Sequence, residues 1–307
     1  MRIAGPLHLV FQCFVFGLAV AATQFDGSTA AEEKDRPMPS ITLSPAMQTR
    51  CLEILRSGLR ADDFWPSMHA AEALTLAGHG QEVRRCLSPK LETETDDRHR
   101  CGLARELVRA GDLSRTAILL EILAKEEPYG HVHACESLFK CGRTGDGRLL
   151  RAAMDQDENP TLAIMAAAAL GRDGSADAMK RLREKLAAKD PEVNRIAAWV
   201  LGQIGEPCDV PQLRANLAAL TDPIARSYHE HALACLKDAE GLRALARNLK
   251  SDDAALRVHA AAFAGDAGAV HLADELTSLL DDPDLDVRIR AAQSLLVLSQ
   301  PDPRSQP

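Results

Sequence analysis

The chain has 307 residues, a formal net charge of −8 and only 4% aromatic residues. The acidic balance argues against general nucleic-acid binding, which needs a basic footprint. A core poor in aromatics must be built from Ala, Leu, Val and Ile. That favours closely packed helices over sheets, and the length fits two domains or one elongated repeat array.

The N-terminus reads as a targeting segment. Arg2 supplies a small positive region, and "LHLVFQCFVFGLAVAA" (7–22) is apolar enough for a signal-peptide core but short for a membrane span. Ala19-Val20-Ala21 fits a small-x-small cleavage site. The expectation is a signal peptide over 1–22 and a periplasmic or secreted protein without a stable membrane span, with an uncleaved anchor as the alternative. Residues 23–45, polar and interrupted by Pro37, Pro39 and Pro45, read as a flexible linker. Seven Cys follow the leader at scattered spacings, without C-x-x-C. That is no disulfide framework, and most are expected to be small buried hydrophobes, with one pair still open.

From residue 46 to 300 the chain repeats itself, leaving a disordered tail over 301–307. Eight segments align on the anchors His69, Gly102, His133, Met165, Ile196, His231, His259 and Arg290, with successive spacings of 33, 31, 32, 31, 35, 28 and 31. Six residues before most anchors stands an acid or amide suited to helix N-capping, as at Asp63, Asp96, Asn159, Asp190, Asp253 and Asp284. The sixth unit has Ala225 there instead. Nine residues after most anchors stands Gly (78, 111, 142, 174, 205, 268), the residue that ends a helix in the left-handed conformation. A second amphipathic segment follows each Gly, so each unit reads as a helical hairpin. Positions −3, +1, +5 and +8 form an apolar stripe, clearest in Val193, Ala197, Leu201 and Ile204. One hairpin cannot bury that stripe, but stacked hairpins can. "CLEILRSGLR" (51–60) reads as a half-unit that caps the array.

"DPEVNRIAAWVLGQIG" (190–205), "DLDVRIRAAQSLLVL" (284–298) and "NPTLAIMAAAALGRDG" (159–174) resemble the short HEAT-like repeat of phycobilisome-lyase-type proteins. The resemblance implies an all-α fold, an α-α superhelix of about eight hairpins of the HEAT/armadillo kind, and a protein-interaction role. Segment 64–150 also resembles repeat portions found in some bacterial sodium–solute symporter fusions, which implies an accessory role beside an uptake system. Deoxyhypusine hydroxylase, a di-iron enzyme with such repeats, uses several His-Glu dipeptides at helix starts. Here there is one, His229-Glu230, a residue out of register. A bilin-lyase activity has no separate catalytic motif to carry it.

"HVHACESLFKCG" (131–142) gathers metal-ligand residue types, but only His133 and Glu136 share a helix face. The similar pair His69 and Glu72 lies two units away, about 20 Å for helices packed side by side at roughly 10 Å. His231 and His259, in adjacent units, are the best metal pair. No phosphate loop, G-x-S-x-G, H-E-x-x-H or EF-hand pattern appears. The anchor and +3 columns vary far more than the +1 column. They are expected to form a partly exposed ridge of His69, Glu72, Arg105, His133, Glu136, Trp199, His231, His259 and Arg290 for an unknown protein partner. The reading is an exported repeat scaffold with an extended groove, without catalysis or cofactor.

Overall fold

The computed structural model describes residues 40–300, which form sixteen α-helices joined by short turns and single 3-10 turns. Eight of them start the repeat units: α2 (Phe64–Leu76), α4 (Asp97–Arg109), α6 (His131–Cys141), α8 (Pro160–Arg172), α10 (Pro191–Ile204), α12 (Pro223–Cys235), α14 (Ala254–Asp266) and α16 (Leu285–Leu298). The others alternate with them: α1 (Pro45–Leu59), α3 (Gly80–Thr93), α5 (Thr116–Leu123), α7 (Arg148–Met154), α9 (Ala176–Leu186), α11 (Val210–Ala219), α13 (Ala239–Asn248) and α15 (Ala273–Ser278). The helical solenoid read from the sequence is present.

Local chemistry sets the helix boundaries. Asp96, Asn159, Asp190, Asp253 and Asp284 each accept a hydrogen bond from a free backbone N–H of the first turn. Pro at the first helical position of α8 and α10 costs nothing, because that N–H has no partner in the helix. The +5 column is the deepest part of the core: Leu74, Leu107, Leu138, Leu201 and Leu295 are all fully buried.

The superhelix closes. Each even-numbered helix packs on the next, and α16 packs on α2. The even helices form an inner ring with the odd helices outside; α3, α5, α9 and α13 each pack between two consecutive inner helices, whereas α7, α11 and α15 pack mainly on the inner helix that follows them. α1 sits between α16 and α2 in the same way. It is therefore the outer helix of the eighth unit rather than a cap, supplied from the other end of the chain. The backbone N–H of Ile41 completes the join by donating to the Leu298 carbonyl at 3.0 Å.

Two boundaries differ from the sequence reading. Pro45 is not in a linker but opens α1, with the Ser44 hydroxyl accepting from the Met47 N–H. Ile41 and Leu43 pack against the core, so the polar segment ends before them. The sixth unit is also registered differently. Its N-cap is Asp222, which accepts from the Ala225 N–H. Counting six residues on gives Tyr228, not His231, as its anchor, and all anchors then stand 31 to 33 residues apart. Nine residues after Tyr228 comes Lys237, the one described non-glycine residue with positive φ (64°), which fills the slot where other units use Gly. Gly205 departs as well. It is extended (φ −76°, ψ 179°) rather than left-handed, and it is required because a Cβ would stand 2.2 Å from the Leu201 carbonyl oxygen. The expected signal peptide (1–22), the linker from 23 to 39 and the expected tail (301–307) lie outside the described residues.

Candidate functional site: the lumen of the ring

Positions −4, 0, +3 and +7 of each inner helix lie on one face. In a closed ring that face turns inward, so the variable columns line a lumen instead of an outer ridge. Two clefts occupy it. One, of about 330 Å³, lies toward the N-terminal ends of the inner helices and is lined by residues including His69, Glu136, Lys140, Arg195, Tyr228, His259 and Asp286. The other, of about 360 Å³, lies toward their C-terminal ends and is lined by residues including Glu72, Arg109, Arg172, Gln203 and Asp266. Lys140, Trp199, Ala262, Phe263 and Arg290 belong to both and form the waist between them.

The ring is narrow, and helices two units apart touch across it. Trp199 of α10 meets Phe139 of α6 edge-on at 5.7 Å, and the Lys140 ammonium lies 5.3 Å from the Trp199 ring. Trp65 of α2 stacks on His133 of α6 at 5.6 Å. The roughly 20 Å separation expected for units one and three is therefore wrong. It assumed a straight stack, and curvature brings inner faces together.

Charges in the lumen are paired. His69 Nδ1 lies 2.7 Å from Asp286, Lys140 lies 2.7 Å from Glu136, and Glu72 is held by Arg109 at 2.8 Å and Arg290 at 3.1 Å. Burial pushes the Glu136 carboxyl up, but Lys140 and Arg105 outweigh it and hold it down at about 2. Burial alone would also raise Glu72, and Arg109 and Arg290 drive it well below the usual carboxylate range instead. Burial, reinforced by Arg290 and Arg195, holds His259 down to about 4, so its ring is neutral at pH 7.

The expected ridge residues fall into three groups. His69, Glu72, Glu136, Trp199, His259 and Arg290 line the lumen. His133 stacks under Trp65 and lies 3.8 Å from Glu136. Arg105 and His231 are buried and not partly exposed. The Arg105 guanidinium lies 2.5 Å from Glu106, itself fully buried. His231 stacks on Phe263 at 3.5 Å, and its Nε2 is 3.1 Å from the Cys235 sulfur. With Tyr228 as the anchor of unit six, its ring beneath the Arg195 guanidinium at 4.9 Å, His231 stands at +3 and is buried because Phe263 stacks over it. Sequence reading missed Lys140, Arg195, Tyr228, Phe263 and Asp286. Lys140 and Asp286 sit at +7 and −4 of their units, so extending the column by one helical turn each way finds them.

His231, Cys235 and Asp266 are adjacent but do not make a nucleophile. Both the sulfur (3.1 Å) and the carboxylate (3.5 Å) approach the same ring nitrogen, Nε2. A relay needs the two on opposite nitrogens. Burial also pushes the Cys235 thiol far up. His229 turns Nδ1 to the Ala225 carbonyl, and Glu230 is bound by Arg247 and Asn248 on the outer layer, so the single His-Glu dipeptide is engaged away from the lumen. Among the described residues no group of three or more His, Cys, Asp or Glu is placed to hold a metal ion, and the seven described cysteines of the eight in the sequence are free thiols.

The family model for HEAT repeats matches residues 147–234, from the outer helix of unit three (α7) to the inner helix of unit six (α12). No curated protein matches. Among solved structures, the chain is similar to human deoxyhypusine hydroxylase in complex with glycerol at 18% identity, covering 82% of this chain and 97% of that one, with a TM-score of 0.40. It is also similar to an engineered protein at 17% identity, covering 81% of this chain and 78% of that one, with a TM-score of 0.35. Among the described residues no helix is long and apolar enough to cross a membrane.

Proposed function

We propose that this chain is an exported, non-catalytic binding protein, a HEAT-repeat scaffold that recognises its partner through the lumen of its ring. The observation that carries the reading is the inward direction of the variable columns. The +1 and +5 positions are spent on packing, whereas the anchor, +3 and +7 positions differ from unit to unit and converge on two connected clefts. Convergent polar groups among aromatic walls are what a recognition site requires. The extended open groove of a straight solenoid is replaced by two mouths, so the partner contributes a narrow element, such as a chain end or a loop tip. Export rests on the apolar run and small-residue motif of residues 1–22.

The test compares captured partners in exported-protein extracts. The wild-type chain is set beside an Ala262→Trp variant, which fills the waist, and beside an outer-surface variant, Arg148→Glu. Partners lost with Ala262→Trp and kept with Arg148→Glu support the reading. Partners kept by both place recognition on the outside and overturn it. Fusing residues 1–45 to a reporter that is active only after export tests the localisation; an inactive reporter refutes it.

A further inference from the structure

The cleft toward the N-terminal ends of the inner helices carries a ligand signature of its own. Its lining includes three permanent cations, Lys140, Arg195 and Arg290, against two carboxylates, Glu136 and Asp286. Each carboxylate already has a partner at 2.7 Å, and Arg195 and Arg290 also have acidic partners outside this lining, Glu192 at 2.5 Å and Glu72 at 3.1 Å. Two buried nitrogen atoms of lining residues, Arg290 Nε and His259 Nδ1, have no hydrogen-bond partner in the protein. An Arg Nε–H can only donate, and His Nδ1 donates in one tautomer. Leaving such groups unpaired destabilises the free protein, so a binding site is where they are expected. Beside them the wall is aromatic, with Trp199, Tyr228 and Phe263. Burial, reinforced by Arg290 and Arg195, suppresses protonation of His259.

We propose that this cleft binds a carboxylate attached to an apolar body, the anion taking the unpaired donors of Arg290 and His259 beside Arg195, and the body lying on Trp199, Tyr228 and Phe263. This rests on the lumen being the recognition site. Such a group can come from a free organic acid or from the terminal carboxylate of a polypeptide. The volume of about 330 Å³ suits one bulky side chain with its carboxylate, at the small end of ligand pockets.

The test uses the full chain. Trp65→Phe leaves Trp199 as the sole tryptophan of the two in the sequence, and its emission reports on the cleft. The probes are phenylacetate, N-acetyl-Ala-Ala-Phe as the free acid, and the same peptide as its C-terminal amide, each titrated by fluorescence and calorimetry. The expected result is saturable binding of an acid at least tenfold tighter than the amide. Arg195→Gln, on a half-buried residue, should reduce acid affinity by about tenfold and leave the amide unchanged. The tripeptide acid binding tighter than phenylacetate identifies a chain end as the source, and the reverse order identifies a free acid. Equal binding of acid and amide overturns the carboxylate assignment while leaving lumen recognition standing. Binding of no probe at millimolar concentration, or acid binding indifferent to Arg195→Gln, also overturns it. Lumen recognition itself is judged separately by the Ala262→Trp capture.

Discussion

Arg290 on α16 lies 3.1 Å from Glu72 on α2, a residue 218 positions earlier in the chain. The same carboxylate takes Arg109 from α4 at 2.8 Å, so one acid ties the last, first and second units of the ring. The pair is mostly buried, with side-chain exposures of 12% and 15%. Removing one partner leaves a buried charge without its counter-ion, which costs about 3–5 kcal/mol. Glu72→Ala should therefore lower stability by about 3 kcal/mol, while Glu72→Ala with Arg290→Met should recover part of it. Urea unfolding of the two single variants and the double variant measures this coupling; additive losses would show that the pair does not hold the ring shut.

Unit six offers a second measurement. His231 is fully buried and stacked on Phe263, whereas His133 keeps 30% of its side-chain surface. His231→Ala should cost about 2–3 kcal/mol through the lost stacking and the space left behind, and His133→Ala less than about 1 kcal/mol. Equal losses in thermal or urea melts would place both residues in the same environment and contradict the burial of His231 beneath Phe263.

Two glycines separate backbone strain from crowding. At Gly174 (φ +95°) an added Cβ meets nothing within 4 Å, so Gly174→Ala costs only the left-handed conformation, about 1–2 kcal/mol. At Gly265 the same atom would stand 2.5 Å from the Ser294 hydroxyl oxygen of α16. Gly265→Ala should cost about 1–3 kcal/mol by overpacking and be partly rescued by Ser294→Ala. Rescue of Gly174→Ala by the same second change would defeat the distinction.

Stability should fall on mild acidification. His259 titrates near 4 in the folded ring against an ordinary 6.5, so as pH falls the unfolded chain takes up its proton first. The contribution is complete above about 6.5 and is lost as pH drops from there toward 4, with a slope of at most about 1.4 kcal/mol per pH unit from this group. Glu136, held at about 2 against an ordinary 4.5, adds a loss at lower pH, between those two values. His259→Gln should flatten the upper part of a stability-against-pH curve; an unchanged slope between pH 6.5 and 4 would assign it to other histidines.

The repeat, its caps and its core column were legible because each depends on short-range chemistry. A capping Asp, a Pro at the first helical position and a Leu at +5 act within one helix. Unit six was misread because "HALAC" matches the His-Ala pattern of other units, although Asp222-Pro223 carries the same cap signal as Asp190-Pro191. Closure was not legible because it is set by a small rotation per unit, accumulated over eight. The partial clue was the odd helix at each end: α1 lacks an inner mate before it, and α16 lacks an outer one after it. The inward facing of His69, Glu136 and Arg290 followed only once the ring was known to shut.

The bond from Ile41 to Leu298 makes neighbours of the two ends of the fold. Because α1 fills a place in unit eight that any other outer helix fills in its own unit, the position of the chain break is arbitrary with respect to packing. A gene rearranged to begin at α4 and to run through a short linker from Gln300 to Ser40 should encode the same object. The start of this protein is a property of its reading frame, and the folded ring is indifferent to it.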